Sequence, residues 1–177
     1  MTEFWLVRHT APDVPPGTCY GRTDVPLKPS FPEEAAAVRA RLHNESFDEV
    51  WCSPLSRCRR LAEACGYAAP RLDDRLLEID FGAWEGERFE AIEDPQLQKW
   101  YDDYLHVRPT GGESFAEQCS RVAAFLKERA AISPGGRILV FSHGGVLLAA
   151  GLHAGLYDPE TAFSHVPSYG SILKLKI

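Results

Sequence analysis

Two apolar runs in this chain stop abruptly at polar residues. Phe4-Trp5-Leu6-Val7 gives way to Arg8-His9-Thr10, and Ile138-Leu139-Val140-Phe141 to Ser142-His143-Gly144-Gly145. Short runs of branched and aromatic residues predict buried strands, here over residues 3–8 and 137–141. Three further strands are expected: residues 47–52, a short one at Arg71-Leu72, and residues 168–175. Between them lie patterns that predict helices at 33–43, 55–65, 115–131 and 145–154. Ser30-Phe31-Pro32-Glu33 and Ser114-Phe115-Ala116-Glu117 have the form of capping boxes. Ser53 with Pro54 supplies a second kind of start, an N-cap followed by proline at the first helical position. Residues 87–112 differ: they are aromatic and acidic, with Asp94-Pro95 as a further helix start and no strand. This segment is expected to form a helical cap over the strand ends. Alternating strands and helices predict one α/β domain over residues 1–177, a three-layer α/β/α fold with a mostly parallel sheet covered on both faces.

Composition narrows the classes of function. With 177 residues, 45% hydrophobic and 25% charged, the chain resembles an ordinary globular protein. Its net charge of −6 lacks the basic footprint of a nucleic-acid binder. An anionic small molecule is still compatible, because Arg57, Arg59 and Arg60 cluster locally. The apolar window 138–156 is broken by Ser142, His143, His153 and glycines, and reads as strand-turn-helix rather than as a membrane span. Met1-Thr2-Glu3 leads directly into the first strand, so no secretory signal is expected. The 5 cysteines form no CxxC pair and fit reduced thiols in a cytoplasmic protein. Cys58 and Cys65, seven apart, should share the buried face of one helix.

Ligands of open α/β sheets bind beyond the carboxyl ends of the strands, so His9 and His143 are expected in one pocket. Arginine suits bidentate recognition of phosphate, and a helix N-terminus adds backbone donors. Arg8, Arg57 at the start of the 55–65 helix, and Gly144-Gly145 after the late strand therefore describe a phosphoryl site. No P-loop, no Asp-x-Asp pattern and no cysteine in a glycine-rich loop offers a different nucleophile. A neutral histidine ring nitrogen can attack phosphorus, which points to His9, with His143 and the arginines neutralising the equatorial oxygens. The leaving alkoxide needs a proton. Glu78 and Glu85 both lie in the loop Glu78-Ile-Asp-Phe-Gly-Ala-Trp-Glu-Gly86, and Glu78 is the choice. A metal bound by His9, His143 and a carboxylate is disfavoured, because the arginines would repel a cation.

These motifs, in this order, resemble the histidine phosphatase superfamily, whose fold is also called phosphoglycerate mutase-like. The resemblance runs from Leu6 to Gly145. It implies that His9 is phosphorylated, that Arg8, Arg57 and His143 clamp the phosphate, and that Glu78 donates the proton. It implies hydrolysis of a phosphohistidine by water, with no metal or organic cofactor. Many members carry glycine where this chain has Thr10. Within the superfamily, Gly17-Thr-Cys-Tyr-Gly-Arg-Thr-Asp-Val-Pro-Leu27 and Ser53-Pro-Leu-Ser-Arg-Cys58 resemble the alpha-ribazole-5'-phosphate phosphatase branch. The expected partner is a small-molecule phosphomonoester, with no nucleic acid and no membrane, and the chain is expected to be a monomer or homodimer. A broad-specificity phosphatase, a mutase or a non-catalytic phospho-ligand module are the other readings.

Other positions have two readings each. Thr10, Tyr20, Arg22 and Gly144 are candidate substrate contacts, although Arg22 suits an exposed surface equally well. Ser53 is expected to cap a helix, Asp80 to bind loop backbone, and Glu85 to be paired within a turn. Glu113 belongs either to a turn before the 115–131 helix or to the substrate site. Trp100, Tyr101 and Tyr104 either pack in the core or stack on an aromatic ligand. His43, His106, His153 and His165 show no metal-ligand spacing.

Overall fold

The computed structural model describes residues 1–177. Five strands form one sheet: β1 (Glu3–Arg8), β2 (Glu49–Cys52), β3 (Arg71–Leu72), β4 (Arg137–Ser142) and β5 (Ile172–Lys176), in the order β3-β2-β4-β1-β5. The β3-β2, β2-β4 and β4-β1 pairs are parallel, and only β5 runs antiparallel, along β1. Five helices accompany them: α1 (Phe31–Leu42), α2 (Ser56–Ala64), α3 (Gln96–Asp102), α4 (Phe115–Ile132) and α5 (Gly144–His153).

The alternation of side chains along the strands sorts the core into two layers. Phe4, Leu6, Ile138 and Val140 face α4 and α5, meeting Val122, Phe125, Leu126 and Val146. Trp5, Val7, Leu139 and Phe141 face α1 and α2, meeting Val38, Leu42, Cys58 and Leu61. Burial on both faces is why β1 and β4 read as unbroken apolar runs. Cys58 and Cys65 both join the second layer. No helix is long and apolar enough to cross a membrane.

Helix starts divide into kept and lost expectations. Ser114 accepts from Glu117 N–H at 3.2 Å while Glu117 Oε2 accepts from Ser114 N–H at 2.8 Å, so the capping box of α4 is complete. Ser30 makes no such box. Its backbone, at φ −74° and ψ 1°, is not extended, and its hydroxyl donates to Glu34 instead, at 2.8 Å. Nor is Ser53 the cap of α2: the helix begins at Ser56 with Leu55 as its flanking residue, and the Ser53 side chain is engaged elsewhere. Residues 87–112 are less helical than expected, holding one 3-10 turn, Phe89–Ala91, and the 7-residue α3. A second piece of the cap comes from the 3-10 segment Pro159–His165, ahead of β5.

Candidate active site

Parallel register builds the centre of the site. Arg8 pairs with Ser142 across β1 and β4, so the next residues, His9 and His143, leave adjacent strands at the same level. Their ring centroids lie 5.3 Å apart. Cys52 pairs with Phe141 across β2 and β4, which brings Ser53 beside His143. Ser53 Oγ and His143 Nε2 share a hydrogen bond of 2.7 Å, and this contact claims the side chain that the sequence suggested as a cap. Ser53, His143 and His9 thus form a row along three neighbouring strand ends, all of them at most 1% exposed.

The row is electrostatically poised. His9 Nδ1 lies 2.7 Å from the carbonyl oxygen of Thr10. A carbonyl can only accept, so Nδ1 carries the proton and Nε2 keeps its lone pair. Burial, with Arg57 and Arg8 nearby, lowers the His9 pKa from 6.5 to about 3. Burial, then Arg57 and His9, holds His143 well below the usual histidine range. His9 is therefore neutral at physiological pH, with a free Nε2 lone pair that could serve as a nucleophile. The cysteines are held as unreactive thiols: burial pushes Cys19 and Cys52 up to about 12, and Cys65 and Cys119 to about 11.

Two guanidinium groups flank the histidines without a carboxylate partner. Arg57 is fully buried, and donates to Gly21 O at 2.6 Å and Thr23 O at 2.8 Å, leaving Nε unpaired. Arg8 donates to Pro167 O and also leaves Nε unpaired. A buried charge without a counter-ion is costly, and here it marks a place that an anion completes. The Thr10 hydroxyl, buried and unpartnered, adds a third free group. Gly144 leaves room for this arrangement, because a Cβ there would press on the Arg8 guanidinium, 3.1 Å from Cζ and Nε.

The two candidate acids separate cleanly. Glu78 accepts from Ile79 N–H at 2.9 Å, Gly145 N–H at 3.1 Å and the Gln118 amide at 2.8 Å, and it lines the same cavity as Arg8 and Gly144. Glu85 is tied into its own loop by Gly21 N–H, Arg22 N–H and the Thr23 hydroxyl. Burial pushes the Glu85 pKa up, but these donors outweigh it and hold the group below the usual carboxylate range. Glu85 is a structural clamp. Asp80 likewise binds loop backbone, accepting from Gly82 N–H at 2.8 Å.

Next to Arg8 and Glu78 lies a cavity of about 280 Å³. Ile79, Phe81, Phe89, Trp100, Leu148, Phe163 and Val166 make its walls apolar. Trp100 stacks on Phe89 at 5.9 Å and 16°, and meets Phe81 edge-on at 6.1 Å. Of the other two aromatics proposed from sequence, Tyr101 is exposed and Tyr104 packs against Phe163 at 4.3 Å, outside this lining.

Arg22 does not reach the phosphate site. Its Nε donates to Glu78 O at 3.0 Å, and its Nη2 pairs with Glu113 at 3.4 Å. Glu113 in turn pairs with Arg121, so Glu113 belongs to the turn and braces the Glu78 loop. Tyr20 meets Tyr169, hydroxyl to hydroxyl, at 2.9 Å. The Tyr169 ring lies 4.0 Å from Arg8 Cζ and 5.7 Å from the His9 ring, so the two tyrosines roof the nucleophile. Sequence reasoning missed Tyr169 and Gln118. Gln118 had a signal: it is a polar residue at a buried position of α4, in line with Phe115 and Val122.

The sequence profile of the histidine phosphatase superfamily (branch 1) matches residues 4–177. The chain belongs to that superfamily. The superfamily's chemistry, phosphoryl transfer through a phosphohistidine, matches the neutral His9 and the unpaired arginines. Among curated relatives, the adenosylcobalamin/alpha-ribazole phosphatase of Escherichia coli K12 is 33% identical over 153 residues, covering 82% of this chain and 75% of its own. Phosphoserine phosphatase 1 of Hydrogenobacter thermophilus is 31% identical, over 72% of this chain and 64% of its own. Among solved structures, the alpha-ribazole phosphatase of Shigella flexneri superposes with a TM-score of 0.86 at 27% identity, covering 99% of this chain and 90% of that one.

Proposed function

We propose that this histidine phosphatase hydrolyses alpha-ribazole 5'-phosphate, through His9, in the assembly of the nucleotide loop of cobalamin. The observation that carries the chemistry is the pair of carboxylate-free guanidinium groups beside a neutral, deeply buried histidine. His9 Nε2 attacks phosphorus as the bond to the leaving oxygen breaks, and Glu78 gives that oxygen its proton. Arg8, Arg57 and His143 hold the phosphoryl oxygens, with Thr10 and the α5 N-terminus at Gly144 adding donors. Water then attacks the phosphohistidine and passes its proton to the Glu78 carboxylate. The P–N bond breaks, and inorganic phosphate leaves a neutral His9.

The substrate reading rests on the cavity beside Arg8 and on the named relatives. Its apolar, aromatic walls suit a flat ring system, and Arg8 is its one cation. Phosphoserine or phosphoglycerate would bring a carboxylate into this cavity, where no second cation meets it.

The test compares kcat/KM for alpha-ribazole 5'-phosphate and p-nitrophenyl phosphate, with chelator present and His9→Ala as control. A preference of about a hundredfold, some 2.7 kcal/mol of transition-state discrimination, is expected. Similar rates on both would leave the phosphohistidine chemistry standing and remove alpha-ribazole phosphate as the substrate. Turnover surviving in His9→Ala would remove the chemistry as well.

A further inference from the structure

The chain has 4 tryptophans, and three of their indole N–H groups are satisfied by carboxylates. Trp5 donates to Glu3, Trp51 to Glu49 at 2.7 Å, and Trp84 to Asp94 at 2.9 Å. The fourth differs. Trp100 Nε1 is buried and has no partner, and Trp100 lines the cavity beside Arg8 and Glu78. Buried indole N–H groups are normally hydrogen-bonded, and an orphan in a native structure calls for an acceptor that the free protein lacks.

No acceptor of the chain lies within hydrogen-bond distance of that N–H. The Trp100 ring packs against Phe81, Phe89, Trp84 and Tyr101, with centroid separations of 6.1, 5.9, 5.8 and 5.4 Å. The Trp84 N–H is itself a donor taken by Asp94, and the Tyr101 hydroxyl makes no bond to the indole. The acceptors among the cavity walls are Glu78, engaged by Ile79, Gly145 and Gln118, and the Gln118 Oε1, which is itself unpaired, so neither meets the indole. The acceptor that Trp100 lacks is one that a ligand in the cavity can bring.

We infer that Trp100 is a specificity-determining residue, whose indole N–H donates to a lone pair on the aromatic part of the leaving group. The ligand class is a flat heterocycle with an unprotonated ring nitrogen, joined through a short polar spacer to the phosphate at Arg8 and His9. The cavity, at about 280 Å³, lies near the lower end of small-molecule pockets, which run from ~300 to 1,000 Å³, so one bicyclic ring is a better match than a larger group. This rests on the reading of the site as a phosphatase with a small aromatic substrate, and it adds what the aromatic walls alone do not supply. Apolar walls discriminate by size, whereas a buried donor rejects an isostere that cannot accept from it.

A pair of isosteres tests the donor without depending on the physiological substrate. The 5'-phosphates of 1-ribosylbenzimidazole and 1-ribosylindole differ in one position, a ring nitrogen against a C–H. Each is assayed for kcat/KM with the wild-type chain and with Trp100→Phe, which keeps an aromatic ring among Phe81, Phe89 and Trp84 but removes the N–H. The wild type should prefer the benzimidazole by about tenfold, the scale of one buried neutral hydrogen bond. Trp100→Phe should bring the ratio to within about twofold, by losing rate on the benzimidazole alone. Because the readout is a ratio within each variant, partial misfolding of Trp100→Phe cancels. A wild-type ratio near one, or a ratio that Trp100→Phe leaves unchanged, overturns the inference. If both ribosides are turned over no better than p-nitrophenyl phosphate, the alpha-ribazole reading falls, yet the ratio still decides the role of Trp100.

Discussion

The two ends of the candidate site are built in opposite ways. At the phosphate end, His9, His143, Arg57 and Ser53 are at most 1% exposed; hydrogen-bonded parallel strands hold the histidines and Ser53 at one level, and the first turn of α2 supplies Arg57. At the leaving-group end, Phe163 and Val166 are 42% and 47% exposed and come from a 3-10 segment and the residue that ends it, with Trp100 on a short helix. The difference teaches where each property resides. Reaction type depends on a geometry that the sheet enforces, while substrate choice depends on loop segments that can change without disturbing the sheet. Relatives bearing the names of an alpha-ribazole phosphatase and a phosphoserine phosphatase, at similar identity, fit that division.

Glu78 stands at the boundary, and replacing it gives the largest effect. Glu78→Gln should lower kcat by about 10²–10⁴-fold on alkyl phosphates, whose leaving oxygen needs a proton. On p-nitrophenyl phosphate, whose p-nitrophenolate group departs as a stable anion, the loss should be far smaller. Equal losses on both, measured side by side, would mean that Glu78 braces the site and donates no proton.

Neighbouring glycines allow a finer cut between the two ends. A Cβ at Gly145 would overlap Glu78 Oε1 and lie 2.8 Å from Gln118 Nε2, whereas one at Gly144 would press on Arg8. Gly145→Ala should therefore misplace the acid, costing about 10²-fold in kcat, the scale of a misplacement near 1 Å. Inhibition by inorganic phosphate should hardly change. Gly144→Ala should weaken phosphate inhibition instead. If both variants lose phosphate affinity alike, the division between the ends does not hold at α5.

The same division governs what was legible in the sequence. The strands β1 and β4, both histidines and Arg8 could be read because a strand buried on both faces leaves an apolar run and the chemistry follows directly after it; Arg57 could be read because it opens the helix after β2. The Ser114 capping box was legible because both of its partners lie within four residues. Ser53 was misassigned because its local pattern suits a cap, while its real partner, His143, lies 90 residues away. Ser30 carried the right letters, but its backbone is not extended there. Tyr169 and Phe163 could not be read at all: β5 must first be known to run antiparallel beside β1, and only that pairing brings the segment before it to Arg8. Arg22 illustrates the converse, a charged side chain near the right place that Glu113 draws away.

The smallest effect is on stability, and it follows from the proton balance of the phosphate end. Burial, followed by Arg57 and Arg8, takes the His9 pKa from 6.5 to about 3, and burial and Arg57 take His143 well below 6.5. Between those values the unfolded chain binds protons that the folded chain does not. Stability therefore rises with pH in this window, and is lost as pH falls below about 6.5, the histidine value in an unfolded chain. Each such histidine contributes a slope of about 1.4 kcal/mol per pH unit, so the pair gives about 2.7. Measured between pH 6 and 5, the slope is read above the range in which lowered carboxylates such as Glu49 and Glu85 add a loss of the same sign. His153, also lowered by burial, contributes in the same direction. Urea unfolding across that window should show the slope, and His9→Ala should reduce it by about 1.4 kcal/mol per unit. An unchanged slope would mean that His9 is not held neutral in the folded chain. Trp100→Phe carries no titrating group and should leave the slope as it is. The stability that a dry, neutral His9 costs at low pH thus belongs to the phosphate end, and the slope lost in His9→Ala isolates it from the share of His153.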